Sequence, residues 1–321
     1  MKEKSIDIGK EVIELQIKAL KKIKNNIDES FDNAVNAISK CKSKVIVIGV
    51  GKSGKIASKI SATLSSVGVP SFSISANDCS HGDLGRISLN DILILISNSG
   101  NTEELKNIIK FSKLNKIKLI CIVSNKNSYL YKSSNIKLYI PYAQDAGYDI
   151  VPTSSTTAQL ALGDALSIAA MKKKRFTKLD FKKFHPAGNL GKKLKTVSDV
   201  MLTGKKIPFV NENTNMNKAL EILNKKKLGF ITVVNNYNLI SGIFTDGDLK
   251  RLIQKNRFFG DKKIKKFMIK KPYLIEQNTL VSDVIKFMNK KKITNICVFE
   301  KLNKRKIVGV IHIHHLLNNL K

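Results

Sequence analysis

At 321 residues the chain is long enough to bury a sizeable core and to divide into two or more domains, which cluster near roughly 100–150 residues each. No apolar run approaches the roughly 18 residues that span a bilayer, and the mixed charges near the start leave no apolar core for a signal peptide, so a cytoplasmic protein without a membrane partner is expected. The net charge of +32 would suit a nucleic-acid partner, but Lys172–Arg175, Lys225–Lys227, Lys262–Lys266 and Lys290–Lys292 are scattered and have no interleaved aromatic residues, which favours solvated surface lysines and no nucleic acid.

From Ile6 to Lys42 the apolar positions recur at helical spacing, with Ile13, Ile17 and Leu20 on one track and Phe31, Ala34, Val35 and Ile38 on the next, predicting two helices. Five short apolar runs follow: Val45 to Gly49, Ser71 to Ser75, Ile92 to Ile96, Leu119 to Val123 and Ile136 to Ile140. Helical patterns such as Ser53 to Val67 and Thr102 to Leu114 separate the earlier ones, so the first part of the chain reads as a doubly wound α/β domain with a five-stranded parallel sheet. Ligands bind such sheets beyond the carboxyl ends of the strands, and chemistry is sought there. Cys41, Cys79, Cys121 and Cys297 form no CxxC pair and sit in or beside apolar segments, which suggests buried thiols rather than disulfides or a metal cluster.

The first strand runs into Gly49-Val-Gly51-Lys52-Ser53-Gly54, a GxGxxG turn followed by a helix, with Asp78 after the second strand. That pattern fits a dinucleotide, whereas a P-loop would need glycine where Ile46 stands. The third strand ends in Ser97-Asn98-Ser99-Gly100-Asn101-Thr102-Glu103-Glu104, and Pro152-Thr153-Ser154-Ser155-Thr156-Thr157 precedes the helical run from Ala158 to Met171. Each hydroxyl cluster alone suits an N-cap. Three at strand ends point instead to an anion held by hydroxyls, backbone amides and helix N-termini, as a sugar monophosphate would be.

After Lys195 the chain repeats itself. Asn213-Thr214 aligns with Asn278-Thr279, Asn224 with Asn289 and Thr232 with Cys297 at an offset of 65 residues; after a two-residue insertion, Gly242 aligns with Gly309. Each copy reads as extended segment, helix, two short strands and helix, and two copies can bury each other's exposed faces. The repeat resembles a tandem pair of CBS domains, at 195–257 and 262–321, with an α+β fold.

Taken together, Gly49-Val-Gly-Lys-Ser-Gly54, His81-Gly-Asp-Leu-Gly85, Ser97-Asn-Ser-Gly100 with Glu104, Pro152-Thr-Ser-Ser-Thr-Thr157, Gly163-Asp-Ala165 and His185-Pro-Ala-Gly188 resemble the arabinose-5-phosphate isomerases, a flavodoxin-like sugar isomerase (SIS) domain followed by two CBS domains. The resemblance spans nearly the whole chain, with the SIS domain and its leading helices at 1–194. It implies reversible isomerisation of D-arabinose 5-phosphate and D-ribulose 5-phosphate through an enediolate, supplying the eight-carbon acidic sugar Kdo for envelope polysaccharide. It also implies a homotetramer with shared active sites, and the reaction requires no redox cofactor.

Carried over onto this sequence, the catalytic candidates are Lys52, Glu104, Asp145 and His185. Gly51, Ser53, His81, Ser97, Asn98, Ser99, Thr102, Ser154, Ser155, Thr156 and Thr157 are the candidates for substrate binding. Asp145 begins Asp145-Ala-Gly-Tyr-Asp149, one residue shorter than in relatives and with an aspartate where they generally carry a glutamate. Thr245 and Asp248 keep a pattern that often holds a nucleotide ribose, whereas His315 replaces the acidic residue of the second copy, so a nucleotide or nucleotide-sugar effector is expected at one half of the pair at most. His312, His314 and His315 show no established metal-ligand spacing. Two alternatives stay open: a non-catalytic SIS-type sugar-phosphate sensor and an NAD-dependent oxidoreductase.

Overall fold

The computed structural model describes residues 4–185, 194–255, 258–301 and 303–318, so Pro186 to Gly188 of the His185 motif lie outside the described residues. The chain forms two compact units that meet in sequence between Phe184 and His185.

The first unit opens with helices α1 (Ser5–Asn26) and α2 (Glu29–Lys40), the second started by the Asp28 carboxylate accepting the Ser30 N–H at 2.9 Å. Strands β1 (Val45–Gly49), β2 (Ser71–Ser75), β3 (Ile92–Ser97), β4 (Lys118–Val123) and β5 (Ile136–Tyr139) form one parallel sheet in the order β2-β1-β3-β4-β5. Between them lie α3 (Gly51–Ser66), α4 (Ala76–Cys79), α5 (Glu104–Leu114) and α6 (Tyr129–Ser133), and after β5 come α7 (Ser154–Lys173) and α8 (Lys178–Phe184). This is the doubly wound fold that the alternating pattern predicts.

Every residue of β1 and β3 is buried, which explains why both read as unbroken apolar runs. Their side chains alternate between two layers. Val45, Val47, Ile92, Ile94 and Ile96 pack with α2, α3 and α7 through Ile38, Ile60, Leu64 and Leu162, while Ile46, Ile48, Leu93 and Leu95 pack with α5 through Leu105, Ile108 and Ile109. Burying each such side chain contributes about 1.5–3 kcal/mol, which makes this two-faced core the dominant stabilisation of the unit. The order 2-1-3-4-5 reverses direction between β1 and β3, and their carboxyl ends, paired through Gly49 and Ile96, flank the resulting crevice.

The second unit holds two three-stranded sheets. One comprises β6 (Phe209–Asn211), β7 (Phe230–Val234) and β8 (Ile240–Thr245) with helices α9 (Met216–Lys226) and α10 (Asp246–Gln254). The other comprises β9 (Leu274–Glu276), β10 (Asn295–Glu300) and β11 (Asn303–His312) with α11 (Val281–Lys291) and α12 (Ile313–Asn318).

The leading segment of each copy crosses to the other copy. Leu202 and Val310 exchange two backbone hydrogen bonds of 3.0 Å, and Ile269 and Ile243 exchange bonds of 2.8 and 3.1 Å. The repeated glycines explain how the strands admit these crossings: a Cβ at Gly242 would lie 2.6 Å from the Met268 sulfur, and one at Gly309 would lie 2.4 Å from the Met201 sulfur. Phe230, Ile243, Cys297 and Val310 then form a cluster shared by both copies.

Candidate active site at the crevice between β1 and β3

Three chain segments meet above the carboxyl edge of the first sheet. The first leaves β1 at Gly49, passes through extended Val50, and enters α3 at Gly51 with φ +55°, so Lys52 and Ser53 fall in the first helical turn. A Cβ at Gly49 would lie 2.8 Å from the backbone carbon and oxygen of Ser53, so glycine is what lets this helix start rest against the strand end.

The second segment follows β3 and is braced from within. The buried Ser97 hydroxyl accepts the Gly100 N–H at 3.0 Å and pairs with the Thr102 hydroxyl at 2.8 Å. Gly100 has φ +69°, and a Cβ there would meet the Ser128 hydroxyl at 2.3 Å. Asn98 and Ser99 are left exposed, and Glu104 occupies the first turn of α5 with its side chain in no hydrogen bond or ion pair among the described residues.

The third segment runs from β5 to α7. Helix α1 holds its start: Asn26 donates to the Tyr139 carbonyl and Lys22 to the Tyr142 carbonyl, both at 2.9 Å. Asp145 then accepts four hydrogen bonds. Its Oδ1 takes the Thr153 N–H at 2.9 Å, the Ser155 N–H at 2.8 Å and the Thr153 hydroxyl at 3.4 Å, and its Oδ2 takes the Ser155 hydroxyl at 2.7 Å. A carboxylate thus already occupies the electropositive start of α7.

Residues Gly147, Tyr148 and Asp149 wind left-handed with φ of 60°, 61° and 63°. Such a conformation is costly for non-glycine residues and persists only where its surroundings hold it. Here Asp149 is held by two bonds: Oδ2 accepts the Tyr142 phenol at 2.5 Å and Oδ1 accepts the Asp145 N–H at 2.7 Å. The phenol first, then the N–H, keep the Asp149 carboxyl below its ordinary pKa, and the same pairing raises that of Tyr142.

The segments enclose a cavity of about 370 Å³ lined by Lys52, Ser53, Asn98, Asp145, Asp149 and Gln159, with Ser155 and Thr156 beside them. Of the residues expected from sequence, Lys52, Ser53, Asn98, Asp145, Ser155 and Thr156 come together there. Gly51, His81, Ser97, Ser99, Thr102, Glu104, Ser154 and Thr157 are not among its lining residues. His81 is exposed beyond α4, and His185 opens the second unit.

One expectation needs correction. The cluster at 154–157 is not a loop before a helix beginning at Ala158; it is the first turn of α7, with Ser154 fully buried and its hydroxyl unpartnered among the described residues. Ser97 braces its own loop through the Gly100 N–H and the Thr102 hydroxyl. Sequence reasoning also passed over Gln159 and Asp149. Gln159 had a usable signal, standing four residues after Ser155 on the same helical face, and its buried side chain accepts the Ser53 hydroxyl at 3.2 Å. Asp149 had none, because only the left-handed turn brings it to the cavity.

A larger, more open hollow of about 930 Å³ lies at the opposite edge of the sheet, lined by Lys40, Lys42, Lys116, Lys118 and Lys137 among others. It faces the amino ends of the strands, where folds of this kind do not place their ligands.

In the second unit a cleft of about 590 Å³ is lined by Thr245, Arg251, Lys271, Tyr273, Lys292, Asn295 and His312 among others. Asp248 is turned toward its own helix: Oδ2 accepts the Thr245 N–H and hydroxyl at 2.9 and 2.7 Å, and Oδ1 accepts from Arg251 at 2.5 Å. Burial first, then the neighbouring His314 and His315, lower the pKa of His312.

Known protein families match the chain in successive parts. A SIS domain model matches residues 37–169, and a CBS domain model matches 197–255 and 264–321. The arabinose 5-phosphate isomerase KdsD of Yersinia pestis is 39% identical over 311 residues, covering 96% of this chain and 94% of that protein. An uncharacterised protein of Rickettsia prowazekii is also 39% identical over 311 residues, covering 97% of this chain and 96% of that one. A solved Escherichia coli CFT073 protein in complex with arabinose 5-phosphate is 36% identical with a TM-score of 0.55, covering 56% of this chain and 97% of that one.

Proposed function

Because the chain belongs to the arabinose 5-phosphate isomerase family, with a SIS domain followed by two CBS domains, we propose that it interconverts D-arabinose 5-phosphate and D-ribulose 5-phosphate. The observation that carries this reading is the cavity at the β1/β3 crevice, where a cation, hydroxyl and amide groups and carboxylates converge. Its volume of about 370 Å³ sits at the small end of the roughly 300–1,000 Å³ usual for small-molecule sites.

The reaction moves two protons, one between carbons and one between oxygens. In the open-chain aldose a base removes the proton from C2, the electron pair forms the C1–C2 double bond of an enediolate, and the charge collects on O1. O1 then takes a proton, O2 gives up its hydroxyl proton, and a proton returned to C1 completes the ketose. Lys52 is assigned to neutralise the phosphate or the oxyanion, where a fixed cation stabilises developing charge. Glu104 and His185 are the candidates for proton transfer and ring opening, with His81 as a further imidazole. The phosphate is assigned to the loops after β1 and β3, since the Asp145 carboxylate already fills the start of α7.

The remaining functional assignments are proposals in the same sense. A homotetramer with shared sites is supported by exposed apolar residues on α1, namely Ile6, Ile13, Ile17 and Leu20, and around the third loop, namely Tyr142, Tyr148, Ile150 and Val151. A nucleotide or nucleotide-sugar effector suits the cationic cleft of the CBS pair, with Thr245 at its wall. Supply of arabinose 5-phosphate for Kdo in the cytoplasm is the corresponding cellular role. No helix among the described residues is long and apolar enough to cross a membrane.

The direct test is ketose formation from arabinose 5-phosphate by the purified protein, with Lys52→Ala as comparison. Steady ketose formation by the wild type, strongly reduced in the variant, is expected; a wild type that forms no ketose would remove the assignment.

A further inference from the structure

The third loop carries two aspartates that differ in what their carboxylates have left to offer. Asp145 spends both oxygens on the protein: three donors on Oδ1 and the Ser155 hydroxyl on Oδ2, all from the opening of α7. It sits where a helix N-terminus attracts an anion, and the helix supplies that attraction. Oδ1 is saturated by its three donors, and Oδ2, which like each Asp149 oxygen accepts one bond, belongs to a side chain buried against the helix start, so taking a substrate proton there would loosen the turn that Asp145 organises.

Asp149 is different. Each of its oxygens accepts a single hydrogen bond, from the Tyr142 phenol and the Asp145 N–H, so each keeps acceptor capacity. It lines the same cavity as Lys52 and Gln159. Its backbone is held at φ 63°, between Tyr148 at 61° and Ile150, a conformation with a cost that this short loop bears at the cavity wall. Its lowered pKa keeps it ionised across the physiological range. An ionised carboxylate with spare lone pairs, facing a polyhydroxylated ligand, accepts hydroxyl hydrogen bonds.

We propose that Asp149, steadied by Tyr142, is the carboxylate of this loop that meets the substrate and accepts its sugar hydroxyls, and that Asp145 is a positioning residue that fixes the start of α7. The assignment deepens the isomerase reading and rests on it. It also relocates the role that residue matching gave to Asp145.

The test compares Asp149→Asn, Asp145→Asn, Asp145→Ala and Tyr142→Phe in the full chain, by kcat and KM for arabinose 5-phosphate and by calorimetric affinity for the same sugar phosphate. Asparagine tolerates the left-handed backbone at position 149 and so removes charge without adding strain. Asp149→Asn is expected to weaken affinity and kcat/KM about tenfold or more, the loss of a charged hydrogen bond. Asp145→Asn, which can still accept the Thr153 and Ser155 N–H groups, is expected to lose less than Asp149→Asn and to recover most of what Asp145→Ala loses.

A pH profile separates the roles further. The charged and titratable groups facing Asp149 are Tyr142 and Asp145 on its own loop and Lys52 at the cavity wall. Removing the phenol raises the Asp149 pKa, so the acid limb of kcat/KM should move to higher pH in Tyr142→Phe and stay in place in Asp145→Asn. Wild-type affinity for arabinose 5-phosphate without ketose formation would defeat the isomerase reading while leaving the contrast between variants measurable by calorimetry. Normal affinity in Asp149→Asn, or an equal loss in Asp145→Asn and Asp145→Ala, would overturn the proposal.

Discussion

Thr232 and Cys297, equivalent positions in the two CBS copies, touch each other: the Thr232 oxygen and the Cys297 sulfur lie 3.3 Å apart, and both residues are fully buried. Thr232 stands midway along β7 and Cys297 midway along β10, and Cys297 belongs to the cluster with Phe230, Ile243 and Val310 that both copies share.

Burial pushes the Cys297 thiol up to about 11 against the Thr232 hydrogen bond, which lowers it, and burial likewise pushes Cys79 to about 11 with help from Asp83 and Asp78. Cys121 is raised too, again chiefly by burial. Since the thiolate is the reactive form, an aromatic disulfide reagent at pH 8 should label half-buried Cys41 in the native protein and leave the other three thiols untouched until denaturant is added. Rapid native labelling of all four would contradict this packing.

Replacing Gly49 with alanine should damage stability and site together. The added methyl would meet Ser53 backbone at 2.8 Å, which cannot rotate away, so α3 must shift from the strand. Overpacking of this kind costs about 1–3 kcal/mol, enough for a melting shift of several degrees, with weaker phosphate binding in the same variant. An unchanged melting temperature would show that the helix start has room to move.

Gln159 joins the starts of α3 and α7 across the cavity through its bond from Ser53. Leucine there keeps the volume and deletes the acceptor. Losing a buried hydrogen bond of about 1 kcal/mol should raise KM for the sugar phosphate about fivefold and leave the fold intact by circular dichroism. A KM equal to wild type would place the amide outside ligand recognition.

Asp91 ties the amino edge of the sheet. Burial raises its carboxyl, but hydrogen bonds from the Ser43 hydroxyl and from the Ser88 and Lys44 N–H groups, with the Lys44 ammonium, outweigh burial and hold it below the ordinary 3.8. A depressed folded pKa means stability fully present above 3.8 and lost as pH falls through the folded value. Asp91→Asn should therefore melt lower than wild type at pH 7, with the gap closing below pH 4. A gap independent of pH would assign the loss to packing rather than to charge.

Much of this architecture was legible in the residues. The central strands were readable because a parallel strand covered on both faces must be apolar throughout, as Val45 to Ile48 and Ile92 to Ile96 are, whereas the edge strands β2 and β5 are partly exposed and carry Ser71, Ser73 and Lys137. The repeat was readable because equivalent faces need equivalent residues, down to Gly242 and Gly309, whose missing side chains admit Met268 and Met201. Other features were not. The helical periodicity of α7 begins with apolar residues at Ala158, yet its first turn is polar, since Asp145 satisfies the Ser155 N–H and hydroxyl from outside the helix. That partner is ten residues away and carries no periodic signal. The exchange of leading segments between the CBS copies was not legible either, because the backbone hydrogen bonds that join Leu202 to Val310 leave no residue pattern.

The central claim is that the crevice after β1 and β3 moves a proton between C1 and C2 of a pentose phosphate. Incubating the protein with D-ribulose 5-phosphate in deuterated water and following the sugars by NMR tests it most directly. Formation of arabinose 5-phosphate carrying solvent deuterium at C2 is the predicted result, while ribulose 5-phosphate that remains unconverted and unlabelled would contradict the account.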